Sequence, residues 1–201
     1  LLMVVFLGLL LGGLFAAMVY RTFFSPNTAF SNEEAFVYIP TGANYEDLKP
    51  QLAPLLEDLD AFESVARRKQ YISNIRPGKF PIRKGMSNNE IVNSLRSRNT
   101  PVRISFNNQE TPALLAGRIA SQIEADSLEL LSSFMDADFL REQGWSADQA
   151  LLPYIPNSYE VYWNTSAEQF RDRMLREYEN FWTENRREKA RAQGLSPEQV
   201  M

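Results

Sequence analysis

The residues best equipped for chemistry lie between Leu151 and Thr165, in the run Leu-Leu-Pro-Tyr-Ile-Pro-Asn-Ser-Tyr-Glu-Val-Tyr-Trp-Asn-Thr. Three Tyr, one Trp, two Asn, two Pro and one Glu fall within it. An aromatic face stacks on the apolar face of a sugar ring, and amide and hydroxyl groups read the sugar hydroxyls by donating and accepting hydrogen bonds. By composition alone the same run is an ordinary strand and turn whose tyrosines cover a core.

Two absences narrow the chemistry. The chain has no His and no Cys. It therefore lacks the commonest general base and metal ligand, any Ser-His triad, and any disulfide or thiol chemistry. Asp, Glu, Lys, Tyr and positioned water remain for catalysis. The formal net charge of −4 lies wholly beyond the first 20 residues and argues against nucleic acid as a partner.

The elements that must carry these residues begin with Leu1–Tyr20, an uncharged apolar run ended by Arg21. Roughly 20 apolar residues suffice to span a bilayer core. A cleaved signal peptide has an apolar core of only about 7–15 residues and needs a small-x-small site; Phe15-Ala16-Ala17-Met18 fits poorly. The run is read as an uncleaved signal anchor that leaves the rest of the chain outside the cytoplasm. Residues 21–34 read as a polar linker.

Beyond it, Ala35–Ile39 is a short β-type run. Asn44 caps a helix with Tyr45, Leu48, Leu52, Leu55 and Leu56 at helical spacing, kinked or split by Pro50 and Pro54. A second helix from about Asp60 buries Phe62, Val65 and Ala66. Lys79–Ile82 is extended. Ser87-Asn88-Asn89-Glu90 is a capping box opening a helix that buries Ile91, Val92 and Leu95. Val102–Phe106 alternates with period two and closes a small α+β module over 35–106. From 107 onward the pattern is mainly helical. Helices are expected from Thr111-Pro112, over 127–134 and over 136–143 with Gly144 as stop. A long one follows a capping box at Thr165–Glu168, with Phe170, Met174, Tyr178, Phe181 and Trp182 on one face. Gly194 ends a helix and Ser196-Pro197-Glu198 begins another. About four residues of that last helix remain, a length with no independent stability, so a chain cut within a domain is expected.

Leu152-Pro153-Tyr154-Ile155-Pro156-Asn157-Ser158-Tyr159, followed by Asn164-Thr165-Ser166, resembles the segment upstream of the catalytic centre in the endolytic murein transglycosylases, the MltG/YceG-like family. The order of features agrees along essentially the whole chain: membrane helix, small LysM-like module, helical connection, this segment, long helix. The resemblance implies an α+β fold in which 107–201 is the start of a catalytic domain. It implies cleavage of the β-1,4 bond between N-acetylmuramic acid and N-acetylglucosamine in nascent glycan strands. One glutamate protonates the leaving oxygen, and the C6 hydroxyl of the muramic acid closes a 1,6-anhydro ring. A single Glu of raised pKa then acts as acid and base in turn, where an ordinary glycosidase needs two carboxylates.

The resemblance places that glutamate beyond Met201, in the helix begun at Ser196. Within the chain, Glu160 is the fallback acid, though its place in the run suits a strand or surface carboxylate better. Tyr154, Asn157, Ser158, Tyr159 and Tyr162 are the expected substrate-binding residues, with Asn157 facing substrate and Tyr159 pointing the opposite way, into the core. Family members often carry Glu-Gly where this chain has Leu152-Pro153, so no role of that Glu transfers. No cofactor or metal is implied. The partners implied are glycan strands, the membrane through Leu1–Tyr20, and peptidoglycan synthases. The LysM-like module reads equally as glycan binder or spacer. The basic run Arg186, Arg187, Lys189 and Arg191 reads as a solvated helix end that complements the helix dipole. The alternative reading of the whole is a membrane-anchored, non-catalytic glycan-binding or scaffold protein.

Overall fold

The computed structural model describes residues 2–200; Leu1, which opens the apolar run, and Met201, beyond which the catalytic glutamate is expected, lie outside the described residues. The fold is α+β, with an apolar N-terminal helix and two small antiparallel sheets. The chain divides into two compact units, Leu1–Thr100 and Pro101–Met201.

The first unit opens with α1 (Leu2–Phe24), which has no buried residue and is long and apolar enough to cross a membrane. The next segments are β1 (Glu34–Ile39), α2 (Tyr45–Leu52) with a 3-10 turn at Ala53–Leu55, and α3 (Leu59–Arg68). They are followed by β2 (Gly78–Arg83) and α4 (Asn88–Ser97). β1 and β2 pair antiparallel with Val37 opposite Phe80 and Ala35 opposite Ile82. Alternate residues of a strand share a face, so Val37, Ile39, Phe80 and Ile82 all enter one core. They meet Leu48, Leu52, Phe62, Val65, Ile91 and Leu95 there. Pro50 lies inside α2, and Pro54 falls in the 3-10 turn that ends it. The capping box forms as the sequence predicts: the Ser87 amide donates to Glu90 Oε2 at 2.8 Å and the Ser87 hydroxyl at 2.7 Å. Gly78 has φ +141, and a Cβ there would lie 2.5 Å from the Asn99 side chain.

Residues 21–34 are not a free linker. α1 continues to Phe24, whose neighbour Phe23 packs against the core of the module. Asn27 is buried and pins the segment that follows. Its Nδ2 donates to Asp58 O at 2.8 Å and to Asn88 Oδ1, and its Oδ1 accepts from the Asp58 amide at 2.8 Å. Asn88 Nδ2 donates in turn to Thr22 O at 2.8 Å, at the end of α1. The Asn27 and Ala29 amides donate to Met86 O and Leu55 O, and Gly85 N to Thr28 Oγ1. The composition that suggests a linker, polar with Pro26 and Asn27, is here a set of hydrogen-bonding groups spent on docking.

The second unit starts with β3 (Pro101–Phe106) and continues through α5 (Pro112–Ala120), α6 (Ser127–Phe134) and α7 (Ala137–Gln143). After a 3-10 turn at Ala147–Gln149 come β4 (Asn157–Tyr162), α8 (Ala167–Phe181), α9 (Glu184–Ala192) and α10 (Pro197–Val200). β3, read from sequence as the last strand of the module, belongs here instead. It pairs antiparallel with β4, Ile104 opposite Tyr159 and Val102 opposite Val161. Its inward face, Ile104 and Phe106, finds matching apolar residues on β4 and packs on Leu115, Ile119, Leu130, Phe134 and Phe170. On α5 Leu115 and Ile119 are buried, while Leu114 is 53% exposed. The cap of α8 also differs in detail. Ser166 pairs reciprocally with Gln169, at the N3 position, while Thr165 Oγ1 donates to Tyr162 O.

Asn27→Ala would leave Asp58 N at a part-buried position and the buried Asn88 Oδ1 without this partner, and would leave Asp58 O only the Phe62 amide. A loss of about 2–3 kcal/mol is expected, against almost none for Asn32→Ala on the exposed surface. Chemical denaturation of the full chain in detergent checks this; equal midpoints for the two variants would refute the clasp. A second expectation concerns pH. The hydrogen bonds from Ser87 hold the Glu90 carboxyl below its ordinary range. A carboxylate depressed on folding contributes stability that is present above its unfolded pKa, about 4.3, and is lost as pH falls through the lower folded value. The stability gap between the parent chain and Glu90→Gln should therefore shrink from pH 6 to pH 3, measured as urea midpoints.

Candidate functional site

The segment that sequence singles out is split by the strand it forms. Of residues 157–162, Tyr159 and Val161 are buried, while Asn157, Glu160 and Tyr162 are exposed. Tyr159 is held in the core. Its ring stacks on Phe106 at 5.7 Å and its hydroxyl donates to Ile155 O at 2.6 Å. Burial pushes its phenol up. Asn157 and Tyr159 are two apart and so share a strand face rather than pointing opposite ways. Asn157 is exposed because it stands at the strand's end, where its Oδ1 accepts from the Ser158 amide at 2.8 Å. Ser158, half-buried, belongs to the other face with Glu160 and Tyr162.

Tyr154 is also buried, between Phe134 at 4.5 Å and Phe170 at 6.1 Å between ring centroids. Burial pushes its phenol well above the ordinary range, Arg171 opposing. Unlike Tyr159, its hydroxyl has no hydrogen-bond partner among the described residues. Tyr154 and Pro156 contribute to a cleft of about 410 Å³. The opposite wall is Asn107, Asn108 and Gln109, in the loop after β3. Asp148, Gln149 and Glu198 complete its polar lining, and Leu115, Leu151 and Leu152 its apolar part. Gln109 Nε2 donates to Asn107 Oδ1 at 2.7 Å, which orders that loop. Gln149 Oε1 accepts from the Ser146 amide at 3.0 Å, which fixes the 3-10 turn.

Tyr162 and Glu160 line a different cavity of about 450 Å³, with Pro101, Thr165, Gln169, Arg173 and Arg176. The structure thus brings Tyr154 to one site and Tyr162 with Glu160 to another. Glu160 is exposed on the outer side of β4, the position of a surface carboxylate. Among the described residues no group of three or more His, Cys, Asp or Glu side chains is placed to hold a metal ion.

The cleft's other wall was not found by sequence reasoning. Three consecutive amide side chains, Asn107-Asn108-Gln109, directly after a strand are the signal that could have revealed it. Chemically, the cleft offers amide donors and acceptors, a neutral phenol and two carboxylates around an apolar patch. Such a lining suits a polyhydroxylated ligand with an apolar face.

Comparison with known proteins gives this arrangement a context. A crystal structure of a YceG-like protein from Listeria monocytogenes is similar to the chain at 19% identity and a TM-score of 0.45, covering 83% of this chain and 61% of that one. The chain therefore spans less than two thirds of that protein's solved length. No curated protein matches the chain. The sequence profile of the YceG-like family matches residues 37–201, from β1 through α10. That match takes in most of the first unit and all of the second, and the chain belongs to the YceG-like family.

Proposed function

We propose that this protein acts on peptidoglycan as a membrane-anchored endolytic transglycosylase, and that the cleft between Asn107–Gln109 and Tyr154 receives the glycan strand. The family membership supports a peptidoglycan-related role. The observation that carries the assignment to this cleft is its lining, the amide side chains of Asn107, Asn108 and Gln109 beside apolar Leu115, Leu151 and Leu152. α1 crosses the cytoplasmic membrane and the two units work on its outer face, near peptidoglycan synthases. The module over 35–100 is LysM-like and either binds glycan or spaces the second unit from the bilayer. In the reaction, a glutamate expected beyond Met201 gives its proton to the O4 leaving group of N-acetylglucosamine. It then takes the proton of the muramic acid C6 hydroxyl as that oxygen attacks C1. One C–O bond breaks, one forms, and no water is consumed. The residues of this chain hold and orient the strand, which is where effective molarity for the intramolecular attack arises.

Two outcomes test this. The 201-residue chain is expected to bind purified sacculi in a co-sedimentation assay and to release no 1,6-anhydro-muropeptide by mass spectrometry, because Asp148 and Glu160 are exposed carboxylates and Glu198 is only half-buried. Robust product would move the acid into this chain. Tyr154→Phe and Asn108→Ala should each weaken binding about fivefold, the worth of roughly 1 kcal/mol. The melting temperature should hold, since neither side chain has a protein hydrogen-bond partner to lose among the described residues. Unchanged binding in both variants would remove the glycan from this cleft.

A further inference from the structure

The first unit contains a second cavity, of about 500 Å³, between α1 and the module. Its α1 wall is Leu14, Ala17, Met18, Arg21 and Thr22, spaced i, i+3, i+4, i+7 and i+8, a single helix face, and Ser25 follows just past the helix end. Glu57, Asp58, Ala61 and Asn88 face it from the module. With about 1.5 Å of rise per residue, Leu14 lies roughly 10 Å along the axis from Arg21. In a membrane-spanning α1 that ends its uncharged run at Arg21, the wall therefore passes from hydrocarbon at Leu14 to headgroup level at Arg21. The Asn27 clasp and the Asn88–Thr22 bond keep the module against this face, so the cavity is a fixed feature of the fold. The bilayer core holds no water, so a recess at hydrocarbon depth is open to an acyl chain.

The lip carries charge of both signs. Arg21 and Glu57 have exposed side chains with no ion-pair partner among the described residues. Asp58 Oδ1 caps α3 through the Ala61 amide at 2.8 Å, which leaves its second oxygen open. A cation and free carboxylate oxygens above an apolar floor complement a zwitterionic amphiphile. We propose that this cavity is a binding site for an aminophospholipid of the surrounding bilayer. Its phosphate meets Arg21, its primary ammonium donates to Glu57 and Asp58, and one acyl chain lies along Leu14, Ala17 and Met18. A quaternary ammonium has no N–H to donate and a glycerol headgroup has no cation, so the acidic lip selects the primary amine. The proposal rests on the reading of α1 as membrane-spanning.

The test is native mass spectrometry of the full chain released from detergent micelles. The micelles carry equal amounts of phosphatidylethanolamine, phosphatidylcholine and phosphatidylglycerol with identical acyl chains. The ethanolamine lipid should be retained roughly tenfold over the other two, the worth of one charge-assisted hydrogen bond. Glu57→Gln should bring it down to the choline lipid, and Arg21→Gln should lower both of those lipids together. Ala17→Phe, which fills the floor, should displace all three lipids. Equal retention of the three lipids by the parent chain, or an intact ethanolamine preference in Glu57→Gln, overturns the site. Alkaline extraction of membranes carrying the chain separates the two failures. Release into the soluble fraction refutes the anchor itself, and retention with no lipid preference refutes only the lipid site.

Discussion

The second unit depends on one pairing, β3 against β4, which joins Ile104 to Tyr159 across more than fifty intervening residues. A two-stranded ribbon has little stability of its own and needs a packed face. That face is supplied by Ile104, Phe106, Tyr159 and Val161, which lie on the side covered by α5, α6 and α8. The register matters as much as the pairing, because a slip of one residue would turn Tyr159 outward and Glu160 into the core. The Tyr159 hydroxyl, bonded to Ile155 O, ties the strand to the turn before it. The same register sets Tyr154 and Pro156 across from the Asn107–Gln109 loop, since the end of β3 lies beside the start of β4. The cleft is thus a consequence of how two strands from distant parts of the sequence align.

In the first unit the comparable constraint is the buried Asn27 amide. A primary amide can donate two hydrogen bonds and accept two, and Asn27 joins the segment after α1 to the starts of both α3 and α4. Both helix starts are the places where backbone donors lack intrahelical partners. Binding there satisfies polar groups that would otherwise need water, and it fixes the chain leaving α1 at a defined position on the module. An anchor joined in this way differs physically from one on a flexible tether. A tether of about ten residues would let the module sample many orientations, whereas here the place of the module at the end of α1 is set by covalent and hydrogen-bonded geometry.

Most elements were legible in the sequence because their signals are local. Ser87 with Glu90, Asp136 with Gly144, and the period of Phe170, Met174 and Tyr178 need only neighbours within a helix to act, and each sits as the pattern implies. What sequence reading placed differently depends on distant partners. Val102–Phe106 reads as a strand from its alternation, but alternation does not say which strand it joins, and nearness in sequence to the module suggested the wrong neighbour. The polar segment 21–34 reads as linker because composition cannot reveal that Asn27 is buried. Tyr154 and Tyr162 were grouped by adjacency in the chain, yet the intervening strand sends them to separate cavities.

Two tyrosines of the second unit meet burial in different ways. Tyr154 and Tyr159 are nearly equally buried, at 5% and 8% exposure. Each contributes stacked aromatic surface, and each phenol is kept neutral by burial. Only Tyr159 satisfies its hydroxyl within the protein. A buried hydroxyl without a partner costs about 1–3 kcal/mol relative to a bonded one, a cost that phenylalanine would avoid at the same packing. The Tyr154 phenol bears that cost in common with those of Tyr45, Tyr71 and Tyr178, each buried with no hydrogen-bond partner among the described residues. Tyr159 avoids it because its strand register brings the hydroxyl to Ile155 O, so its polar end is accounted for by the fold alone.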